Sequence, residues 1–142
     1  MNQPKISVIS RAHRALKGLS RYHDLSGNKP PLSMPSLPAL SKGEELVGCY
    51  ENDTASFSDL LFFTTMAVYV YREGQWSKAL FQDIERSIGP ESKQNVSGFN
   101  LLLRNGQHFW LPVTGSKDNR VFDAFTVLGF FIRVIGDFKA TV

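Results

Sequence analysis

Three histidines and one cysteine are the side chains of this 142-residue chain best suited to chemistry near neutral pH. His108 stands beside Phe109 and Trp110, and is the only histidine in the stretch that reads as a folded domain. A catalytic base needs a nucleophile and an orienting acid within reach, and no Ser, Cys or Asp lies in a recognisable nucleophile context. His13 and His23 are accompanied by no cluster of Cys or carboxylates, so they do not read as metal ligands. Cys49, alone, cannot close an internal disulfide; between Gly48 and Tyr50 it reads as a small buried thiol. Neither GxGxxG nor GxxxxGK occurs, so a glycine-rich phosphate loop is not expected. These residues predict a protein with no catalytic centre, no metal and no cofactor.

Charge is unevenly distributed. Residues 1–30 carry six basic side chains against Asp24 alone, a net of +5, whereas the rest of the chain has ten basic and twelve acidic side chains, a net of −2. The overall +3 therefore belongs to the N-terminal segment. An acidic domain opposes nucleic acid, and its aromatics are not interleaved with Arg or Lys. No run approaches the roughly 18 to 20 apolar residues of a membrane span, and the N-terminus lacks the apolar stretch of a secretory signal. A cytoplasmic, reducing environment is expected, with the membrane periphery and an organelle presequence left open.

The chain divides into three parts: a basic amphipathic segment over 1–25, a proline-rich linker over 26–43, and a β domain with a C-terminal helix over 44–142. In the first part Ile6, Ile9, Ala12, Leu16 and Leu19 recur at helical spacing, while Arg11, Arg14, Lys17 and Arg21 fall mainly elsewhere on the wheel. Three roles fit this helix: docking on the domain, contact with a partner or an anionic membrane, or a cleaved presequence. Pro30, Pro31, Pro35 and Pro38 then forbid a regular helix.

Seven short strands follow, over 44–51, 59–64, 67–72, 76–81, 84–88, 97–104 and 107–114. Tyr69 and Tyr71 share one face of the third, with Val68 and Val70 opposite. Asn105-Gly106 predicts a type I′ two-residue hairpin, which pairs Leu103 with His108, Leu101 with Trp110 and Phe99 with Pro112. A closing helix is expected from Asp118 as N-cap to Gly136 as stop, burying Val121, Phe125, Leu128, Ile132 and Ile135. Phe122, Phe130, Phe131 and Val134 lie off that stripe, so the helix has more apolar surface than one contact hides, a feature of partner surfaces.

Seven strands and a helix form the element order of the pleckstrin-homology-like superfold. The Asp59-Leu60-Leu61-Phe62-Phe63-Thr64 strand followed at once by Ala67-Val68-Tyr69-Val70-Tyr71, then Trp76, Asp83-Ile84, the leucine-rich hairpin and the aromatic helix resemble its GRAM and bacterial branch, over residues 44–136. The resemblance implies a seven-stranded antiparallel barrel or sandwich capped by the helix, and the binding of phosphoinositides, peptides or proteins. Lipid-binding members grip phosphates with basic residues between the first two strands; here Glu51 to Asp59 contains three acids and no base, which repels an anionic headgroup. The expected function is therefore a non-enzymatic protein-interaction module, one form of which is a small inhibitor or immunity protein masking a cognate toxin. Its expected contact residues are Tyr69, Tyr71, His108, Trp110, Phe122, Phe130 and Phe131. The alternative is a peripheral lipid-binding adaptor contacting an anionic surface through Arg11, Arg14, Lys17 and Arg21.

Overall fold

The computed structural model describes residues 7–27, 38–54, 58–92, 94, 96–117 and 121–140. Ser7, in extended conformation, opens helix α1 (Val8–Ala15), its hydroxyl oxygen accepting the Ser10 N–H at 3.1 Å. Val8, Ala12 and Leu16 repeat every four residues and are buried, whereas Ile9 and Leu19 are half-buried. The helix is thus docked. Its apolar side chains belong to the same core as the C-terminal helix. The chain then turns back as strand β1 (Tyr22–Asp24), which pairs with the edge of β2 (Leu46–Glu51), Tyr22 opposite Tyr50.

The expected mainly antiparallel β fold with a C-terminal helix is present. β3 (Asp59–Thr64), β4 (Ala67–Arg72) and β5 (Gln75–Leu80) complete one sheet in the order β1-β2-β3-β4-β5. β6 (Ile84–Ile88), β7 (Gly98–Leu103) and β8 (His108–Pro112) form a second. A two-residue pair, β9 (Ser116–Lys117) with β10 (Val121–Phe122), precedes helix α2 (Asp123–Ala140). The strand count is therefore not seven, and the sheet does not close. Between β5 and β6 the chain makes a 3₁₀ turn, Phe81–Asp83, which drops Phe81 into the core and interrupts the hydrogen-bonded ladder.

The last hairpin differs from expectation by one residue. Leu102 faces His108, Leu101 faces Phe109 and Asn100 faces Trp110. Asn105 does not take the positive φ that a type I′ turn demands; only Gly106 does, at +89°. The Gly106 N–H donates to Leu103 O and the Leu103 N–H to Gln107 O, which makes a three-residue loop with a glycine bulge. The primed two-residue turn lies instead at Glu73-Gly74, both at positive φ, between Arg72 and Gln75. The shifted register puts Phe99, Leu101 and Leu111 in the core, and Trp110 and His108 on the outer face.

Helix α2 also departs from the expected phase. Its buried residues are Ala124, Val127, Phe130, Phe131, Val134, Ile135 and Phe138. Of the expected stripe only Ile135 is buried; Leu128 is half-buried, and Val121, Phe125 and Ile132 are 62%, 38% and 59% exposed. Two apolar stripes run along this helix, and counting from Val121 starts on a residue that belongs to β10, which selects the wrong one. Asp118, the expected cap, lies outside the described residues. Gly136 does not end the helix, because Asp137, Phe138 and Lys139 all make tertiary contacts beyond it, which outweigh the roughly 1 kcal/mol cost of a helical glycine.

Phe131 joins the layers. Its ring centroid lies 6.2 Å from Phe63 in the first sheet, 5.9 Å from Phe81 in the turn, 5.9 Å from Phe99 in the second sheet and 5.4 Å from Phe130. We expect Phe131→Ala to cost about 3–5 kcal/mol of stability, and Ile132→Ala, next to it but on the solvent side, to stay within about 0.5 kcal/mol. Denaturant unfolding of both variants checks this; equal losses would mean the helix is rotated.

Candidate functional site

Strand β6 is the edge of the three-stranded sheet, and its outer side pairs with no strand among the described residues. Its register slips between Ile84 and Arg86, a bulge that leaves Glu85 and its carbonyl without a ladder partner on β7. Lys139 of α2 donates to that carbonyl at 2.6 Å and lies 3.6 Å from the Glu85 carboxylate. Because α2 lies alongside β6, the two elements enclose a groove of about 340 Å³. Leu128, Ile132 and Ile135 supply its apolar wall, and Glu85, Arg86 and Ser87 of β6 supply the other. Arg86 stands exposed at the rim with no ion-pair or hydrogen-bond partner among the described residues.

A second cavity, of about 330 Å³, begins at the same Gly89 and continues past Ile88 to Phe99, Asn100 and Trp110. The indole of Trp110, 44% exposed, packs where the side chain of Gly98 would be: a Cβ there would meet Trp110 Cζ2 at 2.8 Å and collide with the Leu111 carbonyl. Glycine at 98 therefore lets the indole lie down beside the strand, forming one wall of the cavity. The first cavity follows the free edge of β6, and the second starts at the end of that strand and crosses the sheet through Asn100 to Trp110. A strand edge beside apolar seats is an arrangement that can take up an extended chain.

The expected contact residues do not converge. Tyr69 and Tyr71 do share a face, but on the outer side of the other sheet. Tyr69 is buried, its hydroxyl donating to Glu44 Oε2 at 2.9 Å, and Tyr71 packs on Trp76 at 4.8 Å between centroids. His108 is exposed, lines neither cavity beside β6, and has no polar partner among the described residues. Phe122 is half-buried against the core. Phe130 and Phe131 are fully buried, because the stripe of α2 that meets the core is theirs and not the one that runs through Phe125 and Ile132. Of the seven, Trp110 alone lines a cavity of this site. The surplus of apolar surface on α2 is real, but Phe125, Leu128 and Ile132 carry it.

The four basic residues of the N-terminal segment likewise separate. Arg11 is held by Asp137 through two 2.8 Å hydrogen bonds. Arg21 donates to the Asn52 carbonyl at 2.9 Å and to Thr114 Oγ1 at 3.3 Å. Arg14 and Lys17 are exposed. His13 Nε2 lies 3.1 Å from Asp24 and His23 contacts Glu51, both surface pairings across β1 and its neighbours. No group of three metal-ligating side chains occurs among the described residues, and no helix among them is long and apolar enough to cross a membrane. Comparison with protein-family models, curated proteins and solved structures returns no match.

Cys49 is buried in strand β2, and burial, reinforced by Glu51, pushes its thiol up to about 12 from an ordinary 9.0. Burial, then the hydrogen bond to Glu44, pushes the Tyr69 phenol up to about 12 from 10.0. The thiolate is the reactive form, so Cys49 is inert in the folded protein. Both groups hold their protons more tightly folded than unfolded. Their contribution to stability is complete below pH 9 and is lost as pH rises toward 12. We expect the urea midpoint to fall between pH 8.5 and pH 11, less steeply in Cys49→Ala, and Cys49 to resist a thiol reagent at pH 8 until the protein is unfolded. Rapid labelling under native conditions would contradict the burial.

Proposed function

We propose that this chain is a non-enzymatic protein-interaction module of pleckstrin-homology-like architecture. It takes an extended, apolar segment of a partner as an added strand on β6, with alternate side chains seated against Leu128, Ile132 and Ile135. The single observation that carries this reading is the groove itself, an unpaired strand edge facing the exposed apolar stripe of a helix. Main-chain hydrogen bonds along such an edge supply affinity, and the pockets for every second side chain supply selectivity. Ile132, 59% exposed, contributes little to the fold where it stands, and a bound segment would bury it. The element order from β2 to α2 supports the architectural part, and a small inhibitor or immunity protein is one form such a module takes. Contact with an anionic membrane through α1 has less support, because the apolar face of α1 is in the core and Arg11 and Arg21 are engaged within the protein.

Panning a random peptide library on the protein tests the reading. Enriched peptides should carry apolar residues at alternate positions and should shift the backbone resonances of Ile84–Ile88 and of α2. Ile132→Asp should weaken them at least about tenfold, since it places a charge in an apolar seat. Backbone N-methylation of the peptide should weaken them comparably. Peptides that bind Ile132→Asp as tightly as the parent protein would place recognition elsewhere.

A further inference from the structure

On the other flank of α2, three guanidinium groups surround one cavity. Arg11 and Arg14 come from α1, three residues apart and so on one side of the helix, and Arg133 comes from α2. With Ala15 they line a cavity of about 370 Å³ at the seam between the helices, and no carboxylate is among its lining residues. Asp137 lies next to the cavity, but both its oxygens are engaged by Arg11, through Nε and one terminal nitrogen, each at 2.8 Å. That ion pair is largely shielded, with side-chain exposures of 14% and 16%.

Two consequences follow. Arg11 is fixed, because a bidentate pair holds the guanidinium plane, and three of its five N–H donors remain unused. Arg14 and Arg133 are exposed and have no ion-pair or hydrogen-bond partner among the described residues, so neither guanidinium is held by a carboxylate at contact distance. Three cations against one carboxylate leave a net +2 around a concavity. Like charges gathered in this way repel, and a ligand of charge −2 with several acceptor oxygens removes the repulsion. The planar fork of arginine matches the edge of a tetrahedral oxyanion.

We propose that the α1–α2 seam binds a phosphoryl dianion, with Arg11 as the fixed donor and Arg14 and Arg133 closing on it from the two helices. This site is independent of the β6 groove, which lies on a different side of α2 and is lined by different residues. The same chemistry is offered by a soluble phosphate ester and by a phosphomonoester lipid headgroup.

Titration of the full chain with inorganic phosphate at pH 7.5 in low salt, followed by backbone resonances, tests the proposal. Arg14 and Arg133 amides and side chains should shift saturably. Arg14→Gln and Arg133→Gln should each weaken binding about tenfold, and the double variant should abolish it, with the melting temperature unchanged because both side chains are solvent-exposed. Lowering the pH to 5.5 should weaken phosphate, which then carries one charge fewer, and leave sulfate, still a dianion, unaffected. Co-sedimentation with phosphatidylcholine vesicles containing phosphatidic acid, against phosphatidylserine at equal surface charge, separates the sources. Binding selective for phosphatidic acid would identify a headgroup, and binding of soluble phosphate alone would identify a small ester. The proposal is overturned if phosphate and phosphatidic acid vesicles both fail to bind, if phosphatidylserine vesicles bind as well as phosphatidic acid vesicles, or if the double variant binds as the parent does.

Discussion

Two sheets with no ladder between them are held together by phenylalanine rings borne on one helix. Phe131 touches a ring from each sheet and a third from the turn that separates them, and Phe130 meets Phe63 edge-on at 5.5 Å. Each such aromatic contact adds about 0.5–1.5 kcal/mol beyond the area it buries. Their common dependence on the angle of α2 matters more than their sum. With Phe130 and Phe131 directed inward, 3.6-residue geometry leaves no choice about which residues look outward. Leu128 and Ile132 then face the β6 edge, and Arg133 and Asp137 face α1. Both cavities are therefore consequences of one rotational setting.

The strands were legible because each is bounded by turn chemistry and contains β-branched or aromatic residues; the seven expected segments correspond to β2 through β8. What escaped was pairing that depends on distant sequence. Tyr22–Asp24 has no periodicity of its own and becomes a strand only because β2 offers an edge. The Asn105-Gly106 signal marked a real turn but the wrong type, and one residue of difference moved Leu103 opposite Gln107 instead of His108. In α2, apolar residues fill more than half the wheel, so periodicity alone could not say which stripe meets the core. The surplus was legible while its side was not, and the residues expected at the surface and in the core exchanged places.

The site was legible to a similar, partial degree. Nothing in the text Ile84-Glu85-Arg86-Ser87-Ile88 announces that the next strand in space is missing. That depends on the turn at Phe81–Asp83, which parts β5 from β6 and leaves each without a neighbour on one side among the described residues. Arg11 and Asp137 are 126 residues apart, and only the fold makes them partners. Lone charges on a helical wheel look alike until their neighbours are known: Arg11, Arg14 and Arg21 all read as lying mainly off the apolar stripe, yet one is locked, one is free and one is tied to a loop carbonyl.

An exposed strand edge invites pairing with any other extended chain, including a second copy of the same protein. Here the bulge at Glu85 leaves one carbonyl out of the ladder, and the ammonium of Lys139 sits on it. A newcomer must displace that lysine or accommodate it, which filters casual visitors and favours a strand bringing its own acceptor or acid to the same spot. Fidelity in such an encounter would depend less on the depth of the groove than on how well the incoming chain answers one positive charge at its threshold.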